Sequence, residues 1–283
     1  MKRAAPVRSR QAFARAAPRL AGPVRRPVRW LVAGTAAITL SSLGLAADIP
    51  LNQRRSSYEA MSGATKAMQD DDSANPATLW VLDGEALWRA GAGAAGRACA
   101  DCHGEAPQSM RGVAARYPAY DAKRQTPVDL EDRINICRVE QQQAAALRPE
   151  SKELLALTAY LARQSRGLPI ESNDGRLAPS IEAGRQLFQR RQGQLNLACA
   201  HCHDDHWGEK LAGNSVPQGH PTGYPLYRLE WQGVGSLQRR LRNCMIGMRA
   251  ESYAFGSPEF IALETYLMWR ARGMPMESPA VRP

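Results

Sequence analysis

Apolar residues fall at helical spacing in two stretches, one near the end of each half of the chain. Leu154, Leu157 and Leu161 share a face at i, i+3 and i+7, and Phe260, Leu263 and Leu267 repeat it. Ser257 stands where an N-cap belongs, with Pro258 at the first helical position. Gly167 and Gly273 read as the residues just past each helix, and Pro169 and Pro275 block continuation. The pairs Leu87-Trp88 and Leu187-Phe188 predict an earlier helix in each half. Strand-like alternation is scarce, so the fold class expected is mainly α.

The pattern is a duplication. Gly84, Leu87, Trp88, Cys99, Cys102 and His103 recur 100 residues later as Gly184, Leu187, Phe188, Cys199, Cys202 and His203. Cys137 recurs 107 later as Cys244, and the closing helices match at a spacing of 106, from Glu153 and Glu259 to Pro169 and Pro275. So many matches with so few gaps predict two tandem modules, residues 78–175 and 176–283, joined near Ser172-Asn-Asp-Gly175. Each reads as helix, cysteine string, long loop and closing helix. Residues 48–77 read as an extended N-terminal arm whose run Asp70-Asp71-Asp72 is solvated surface.

Charge sets the first segment apart. Residues 1–47 hold Lys2 and eight arginines and no acid, followed by an apolar run from Trp30 to Leu45 and the small residues Gly44, Ala46 and Ala47. That is the make-up of a cleaved export signal. The run is short of the ~20 apolar residues of a membrane span, so no stable membrane anchor is expected. The net charge of +10 falls to about +1 once this segment is removed. The basic balance is therefore a targeting feature and gives no ground for nucleic-acid binding.

Four of the six cysteines sit in two Cys-x-x-Cys-His strings, Cys99–His103 and Cys199–His203. This is the attachment signature of c-type haem: two thiols bond the porphyrin and the adjacent histidine ligates its iron. Two copies predict two covalently bound c-type haems, on Cys99 and Cys102 with His103, and on Cys199 and Cys202 with His203. The two modules are then cytochrome c-like haem domains. Gly91-Ala-Gly93-Ala-Ala-Gly96 matches a dinucleotide fingerprint but lacks the preceding strand, and reads as a tight turn beside a bulky ring. His201, His206 and His220 read as surface histidines.

The second axial ligand decides the chemistry. Electron-carrying cytochromes c use a methionine before the closing helix. Here the equivalent positions hold Cys137 and Cys244, the latter beside Met245 and Met248. Three arrangements stand at this point: each cysteine on its own iron, a Cys137–Cys244 disulfide, or methionine ligation in the second module. Residues 236–249 carry Arg239, Arg240, Arg242 and Arg249 and no acid, whereas 129–142 carry four acids and two arginines. The second site should therefore attract an anion and the first repel one. Arg240 stands four residues before Cys244, as Arg133 does before Cys137, so it reads as either a substrate-binding or a propionate-pairing arginine. Arg239 and Arg242 favour the former.

The chain resembles the SoxA family of dihaem cytochromes over essentially all of residues 48–283. The likeness rests on the arm beginning Asp48-Ile-Pro-Leu, on Ser109-Met-Arg-Gly-Val-Ala-Ala-Arg-Tyr117, on both attachment strings, on Arg240-x-x-x-Cys244 and on the tail Pro279-Ala-Val-Arg282. The resemblance implies a periplasmic subunit that pairs with the monohaem cytochrome SoxX. The pair joins thiosulfate oxidatively to a cysteine of the carrier SoxYZ, an L-cysteine S-thiosulfotransferase activity. It also implies that Cys244 forms a catalytic persulfide and ligates the second iron, that Arg240 binds thiosulfate, and that His103 and Cys137 hold the first haem. An electron-transfer dihaem cytochrome c and a tetrathionate-forming thiosulfate dehydrogenase are the alternatives.

Overall fold

The computed structural model describes residues 48–283, and the expected export segment lies outside them. Among the described residues no helix is long and apolar enough to cross a membrane. After α1 (Gly63–Asp70) the first copy runs α2 (Thr78–Arg89), α3 (Cys99–His103), α4 (Ala106–Ser109), β1 (Ala119–Asp121), β2 (Thr126–Val128), α5 (Leu130–Gln141) and α6 (Lys152–Arg163). The second runs α7 (Ala178–Gln189), α8 (Cys199–His203), β3 (Lys210–Leu211), β4 (Asn214–Ser215), β5 (Leu226–Arg228), β6 (Gly233–Gly235), α9 (Leu237–Gly247), α10 (Pro258–Arg270) and β7 (Ala280–Arg282).

The closing helices α6 and α10 form where the apolar spacing placed them. Ser151 and Ser257 cap them, each side chain accepting from the backbone N–H three residues on. Both are buried along most of their length, and each packs on the opening helix of its own copy. The repeated glycine has its reason in that crossing. A Cβ on Gly84 would lie 2.1 Å from the Ala156 carbonyl oxygen, and one on Gly184 2.0 Å from that of Ala262. Gly167 and Gly273 do take the left-handed conformation, φ +80° and +82°. They lie beyond the helix ends, because Ser165, Arg166 and Arg272 each donate to the carbonyl three residues back and carry the chain further round.

The long loop expected before each closing helix contains a third helix, α5 or α9. Asp129 and Ser236 cap them, and Leu237, Leu241, Met245 and Met248 give α9 its apolar stripe. Cys137 and Cys244 therefore sit on helices. Short hairpins precede both, β1 with β2 and β5 with β6, and β7 adds to β5 in parallel.

The two copies are joined through equivalent segments. Pro169 pairs antiparallel with Pro275. Gly167 N–H donates to Met276 at 2.8 Å, Met276 N–H to Leu168 at 2.9 Å and Ile170 N–H to Met274 at 2.9 Å. Met268, Ala271, Met274 and Met276 enter the core of the first copy. A small cavity of about 80 Å³ lies on this seam, lined by equivalent pairs, Tyr117 with Tyr224 and Leu130 with Leu237.

The arm is not extended throughout, since it contains α1. It is stitched to the second copy. Arg55 N–H donates to Gln218 Oε1 at 2.7 Å, and Arg282 Nε to Ser57 Oγ at 2.7 Å. Asp72, expected only at solvated surface, pairs with Arg163 at 2.5 Å and Arg166 at 2.7 Å.

Candidate functional site

In the second copy α8 is a single turn that sets Cys199, Cys202 and His203 on one short helix. His203 Nδ1 donates to the Pro217 carbonyl oxygen at 2.6 Å, which leaves Nε2 as the free ring nitrogen. Cys199, His203, Cys244, Met245 and Met248 line one cavity of about 370 Å³. Its apolar wall comes from Phe188, Leu237, Leu241, Leu263 and Leu267, and Ser57, Ala60, Met61 and Thr65 of the arm close another side. Lys210, Arg228, Arg240 and Arg282 line it, and no Asp or Glu side chain does.

That charge reaches the cysteine. Burial opposes ionisation of the Cys244 thiol, but the His203 ring and the Arg240 and Arg228 guanidinium groups outweigh it and bring its pKa below the ordinary thiol value. Cys199 goes the other way, pushed up to about 12 by burial first and by Cys244 second. In the first copy Cys99, Cys102, His103 and Cys137 line a cavity of about 230 Å³ with Met110, Tyr117, Arg133 and Arg138. There burial raises the Cys137 thiol, and Arg133 opposes it without prevailing.

Both sites fit a covalently held haem. Each has two thiols on one helical turn, a histidine at its end, a facing cysteine and a mostly apolar chamber, which in the second copy Cys199 lines and Cys202 does not. Cys137 and Cys244 stand in separate cavities, and all six cysteines are free thiols, so the disulfide arrangement is not the one adopted.

Three expectations need correction. The acids of residues 129–142 do not surround the first cavity. Asp129 and Glu131 line the seam instead, with Glu264, while Glu140 pairs with Lys123 and Arg124, because α5 points its N-terminal turn at the second copy. Arg239 and Arg242 do not enter the second cavity. Arg239 stacks 4.3 Å over Trp231, and Arg242 donates to the Tyr253 carbonyl and lies over Phe255. They follow α9 round to other faces, leaving Arg240 on the inner one. His220 is buried, not at the surface. It lines the cavity, its Nδ1 donates to the Arg55 carbonyl at 3.0 Å, and burial brings its pKa down to about 4. The tight turn expected at Gly91–Gly96 is present, with Gly93 at φ +63° packed against protein backbone. A Cβ there would lie 2.2 Å from the carbonyl oxygen of Gln142, at the end of the cysteine-bearing helix.

One residue escaped the sequence reading. Arg228, the last residue of β5, lines the cavity beside Arg240. The signal was a further repeat, Tyr117-Pro-Ala-Tyr-Asp121 against Tyr224-Pro-Leu-Tyr-Arg228. An aspartate in one copy stands where the other has an arginine.

The family model of the SoxA/TsdA cytochrome c domain matches twice, over residues 83–170 and 183–276. The L-cysteine S-thiosulfotransferase subunit SoxA of Pseudaminobacter salicylatoxidans is 38% identical over 235 residues, 82% of either chain. That of Rhodovulum sulfidophilum is 34% identical, covering 81% of this chain and 80% of its own. The crystal structure of SoxXA from P. pantotrophus superposes with a TM-score of 0.78 at 33% identity, covering 81% of this chain and 87% of that one. Two cytochrome c domains, each with its attachment string over a cavity, make c-type haem the group this chain holds, and the chain belongs to the SoxA family.

Proposed function

We propose that the chain is the catalytic dihaem subunit of a periplasmic L-cysteine S-thiosulfotransferase. Export by the basic leader brings it to its compartment, and SoxX is its haem-bearing partner, as the likeness to SoxXA supports. The reaction joins thiosulfate to a carrier cysteine. A carrier thiol and the thiosulfate dianion give carrier-S-S-SO₃⁻, one proton and two electrons. SoxYZ is the carrier, and SoxX takes electrons onward.

The observation that carries this reading is Cys244, facing His203 in a chamber that holds Arg240 and Arg228 but no Asp or Glu side chain. Two covalently bound c-type haems, on Cys99 and Cys102 and on Cys199 and Cys202, supply one-electron acceptance. His103 and Cys137 would hold the iron of the group in residues 78–175, and His203 and Cys244 that of the group in residues 176–283. Arg240 holds the oxyanion end of thiosulfate, since a guanidinium matches sulfonate oxygens in charge and hydrogen-bond geometry. With that end fixed, the terminal sulfur would bond the Cys244 sulfur with loss of one proton and two electrons, giving the persulfide derivative Cys244-S-S-SO₃⁻, and the carrier thiolate would then take the S-SO₃⁻ group and release the Cys244 thiolate. The open chamber must also admit the carrier thiol.

The test is Cys244→Ala in the complex with SoxX. Conjugation of thiosulfate to SoxYZ should be lost, with haem content unchanged, and intact mass should show no added sulfur on the variant. Retained conjugation ends the proposal. Tetrathionate formed by the native protein without a carrier would assign it to thiosulfate dehydrogenation instead.

A further inference from the structure

The two copies place an arginine four residues before the cysteine, yet the two guanidinium groups meet different surroundings. In the first copy Arg133 Nη2 donates to Asp121 Oδ2 at 2.9 Å. Asp121 is only 4% exposed at its side chain and is held by the backbone N–H groups of Lys123 and Arg124. Arg133 is thus neutralised by a fixed carboxylate. In the second copy the position of Asp121 is taken by Arg228, each the third residue of the strand before the hairpin turn. Arg240 has no carboxylate and no side-chain hydrogen bond among the described residues. Arg228 is 11% exposed at its side chain, lies over the Trp231 ring at 5.3 Å, meets among carboxylates only the largely exposed Glu230, at 3.3 Å, and has a buried Nε without a hydrogen-bond partner.

Two guanidinium groups side by side in one chamber repel each other, and a buried N–H without an acceptor is costly. An anion with several oxygens answers both. We propose that Arg228 is a second anion-holding residue, acting with Arg240 on the sulfonate of thiosulfate. The exchange of Asp121 for Arg228 between the copies is what confines anion binding to the second. Glu230 is exposed and can turn to solvent, so its pairing with Arg228 is weak and does not compete with a buried ligand. Arg282, in register with Arg228 on β7, is not a third such residue, because Glu277 and Gln69 already engage it.

This inference rests on the thiosulfate reading of the site, and the experiment separates the two. Steady-state conjugation is measured for the SoxX complex carrying Arg228→Gln, Arg228→Lys, Arg228→Asp or Arg240→Gln, with haem absorbance and melting temperature recorded for each. Arg228→Gln should raise the thiosulfate KM about tenfold while changing kcat less than about threefold, the loss expected for one charged hydrogen-bonding partner. Arg228→Lys should recover most of that loss. Arg228→Asp should raise KM beyond the glutamine variant, because it would tie up Arg240 as Asp121 ties up Arg133. An unchanged KM in Arg228→Gln overturns the inference, and so does an altered haem spectrum or haem content with KM unchanged, which would assign the side chain to the prosthetic group. If Arg240→Gln alone raises KM, the thiosulfate site stands without Arg228. If neither variant changes KM or kcat, the site reading itself fails.

Discussion

His203 Nδ1 lies 2.6 Å from the carbonyl oxygen of Pro217. The acceptor is backbone, so side-chain changes around the loop cannot remove it, and the ring is held in one tautomer. Under the proposed ligation, His203→Ala should leave the second copy without a nitrogen ligand and the first copy intact. Electron paramagnetic resonance should then lose one of two low-spin ferric signals, and conjugation should fall by about a hundredfold or more. Two unaltered signals would place the ligand elsewhere.

Gly184 lets α7 lie directly on α10. An added Cβ 2.0 Å from the Ala262 carbonyl oxygen must push the two helices apart. Gly184→Ala should cost about 2 kcal/mol or more in urea unfolding. Gly63→Ala, where nothing lies within 4 Å, should leave stability unchanged or slightly raised. Equal effects for the two would mean that the helix crossing is not tight.

Gln218 couples the arm to the second copy. Its side chain accepts from Arg55 N–H at 2.7 Å and donates to the Gln53 carbonyl at 3.3 Å. Gln218 is buried, so Gln218→Ala strands both backbone groups, at about 1–3 kcal/mol. Limited proteolysis should then cut between residues 48 and 62 sooner than in the native chain. An unchanged cleavage rate would show the arm to be held by its other contacts.

The seam carries a pH dependence. Asp129 is pushed up to about 7, by burial first and by Asp132 second, and Glu131 and Glu264 are each raised well above their ordinary value by burial first and by Asp129 second. An unfolded aspartate titrates near 4, so the folded chain binds more protons than the unfolded one between about pH 4 and pH 7. Stability contributed by Asp129 is therefore present at low pH and lost as pH rises through that window. His220, with its pKa lowered to about 4, works in the opposite sense, so the diagnostic is the difference between native chain and Asp129→Asn. That difference should change by on the order of 3 kcal/mol in favour of the variant between pH 4 and pH 8. Parallel stability curves would remove the effect.

The attachment strings, the closing helices and the duplication were legible because each depends on residues near one another in sequence. So was the pairing of Cys137 with Cys244 as equivalents. The orientation of α9 was not, since it took a helix in place of a loop to turn Arg239 and Arg242 away from the chamber and leave Arg240 facing it. Counting charges in a window failed for the same reason: Asp129 and Glu131 are neighbours of Cys137 in sequence and residents of the seam in space. His220 was misread because its burial comes from the arm, more than 150 residues earlier. Arg228 was missed because its meaning lies in a contrast with Asp121, which only a pairing of the two copies, strand by strand, exposes.

The antiparallel meeting of Pro169 with Pro275 joins two stretches that are versions of one another. Each stretch thereby covers the apolar and hydrogen-bonding rim of the other. Severing the link between the halves would therefore not yield two well-behaved monomers. Each fragment would bare the backbone groups of residues 167–170 or 273–276 and the apolar side chains they cover, so the covalent tether keeps the two rims at a high effective concentration for one another.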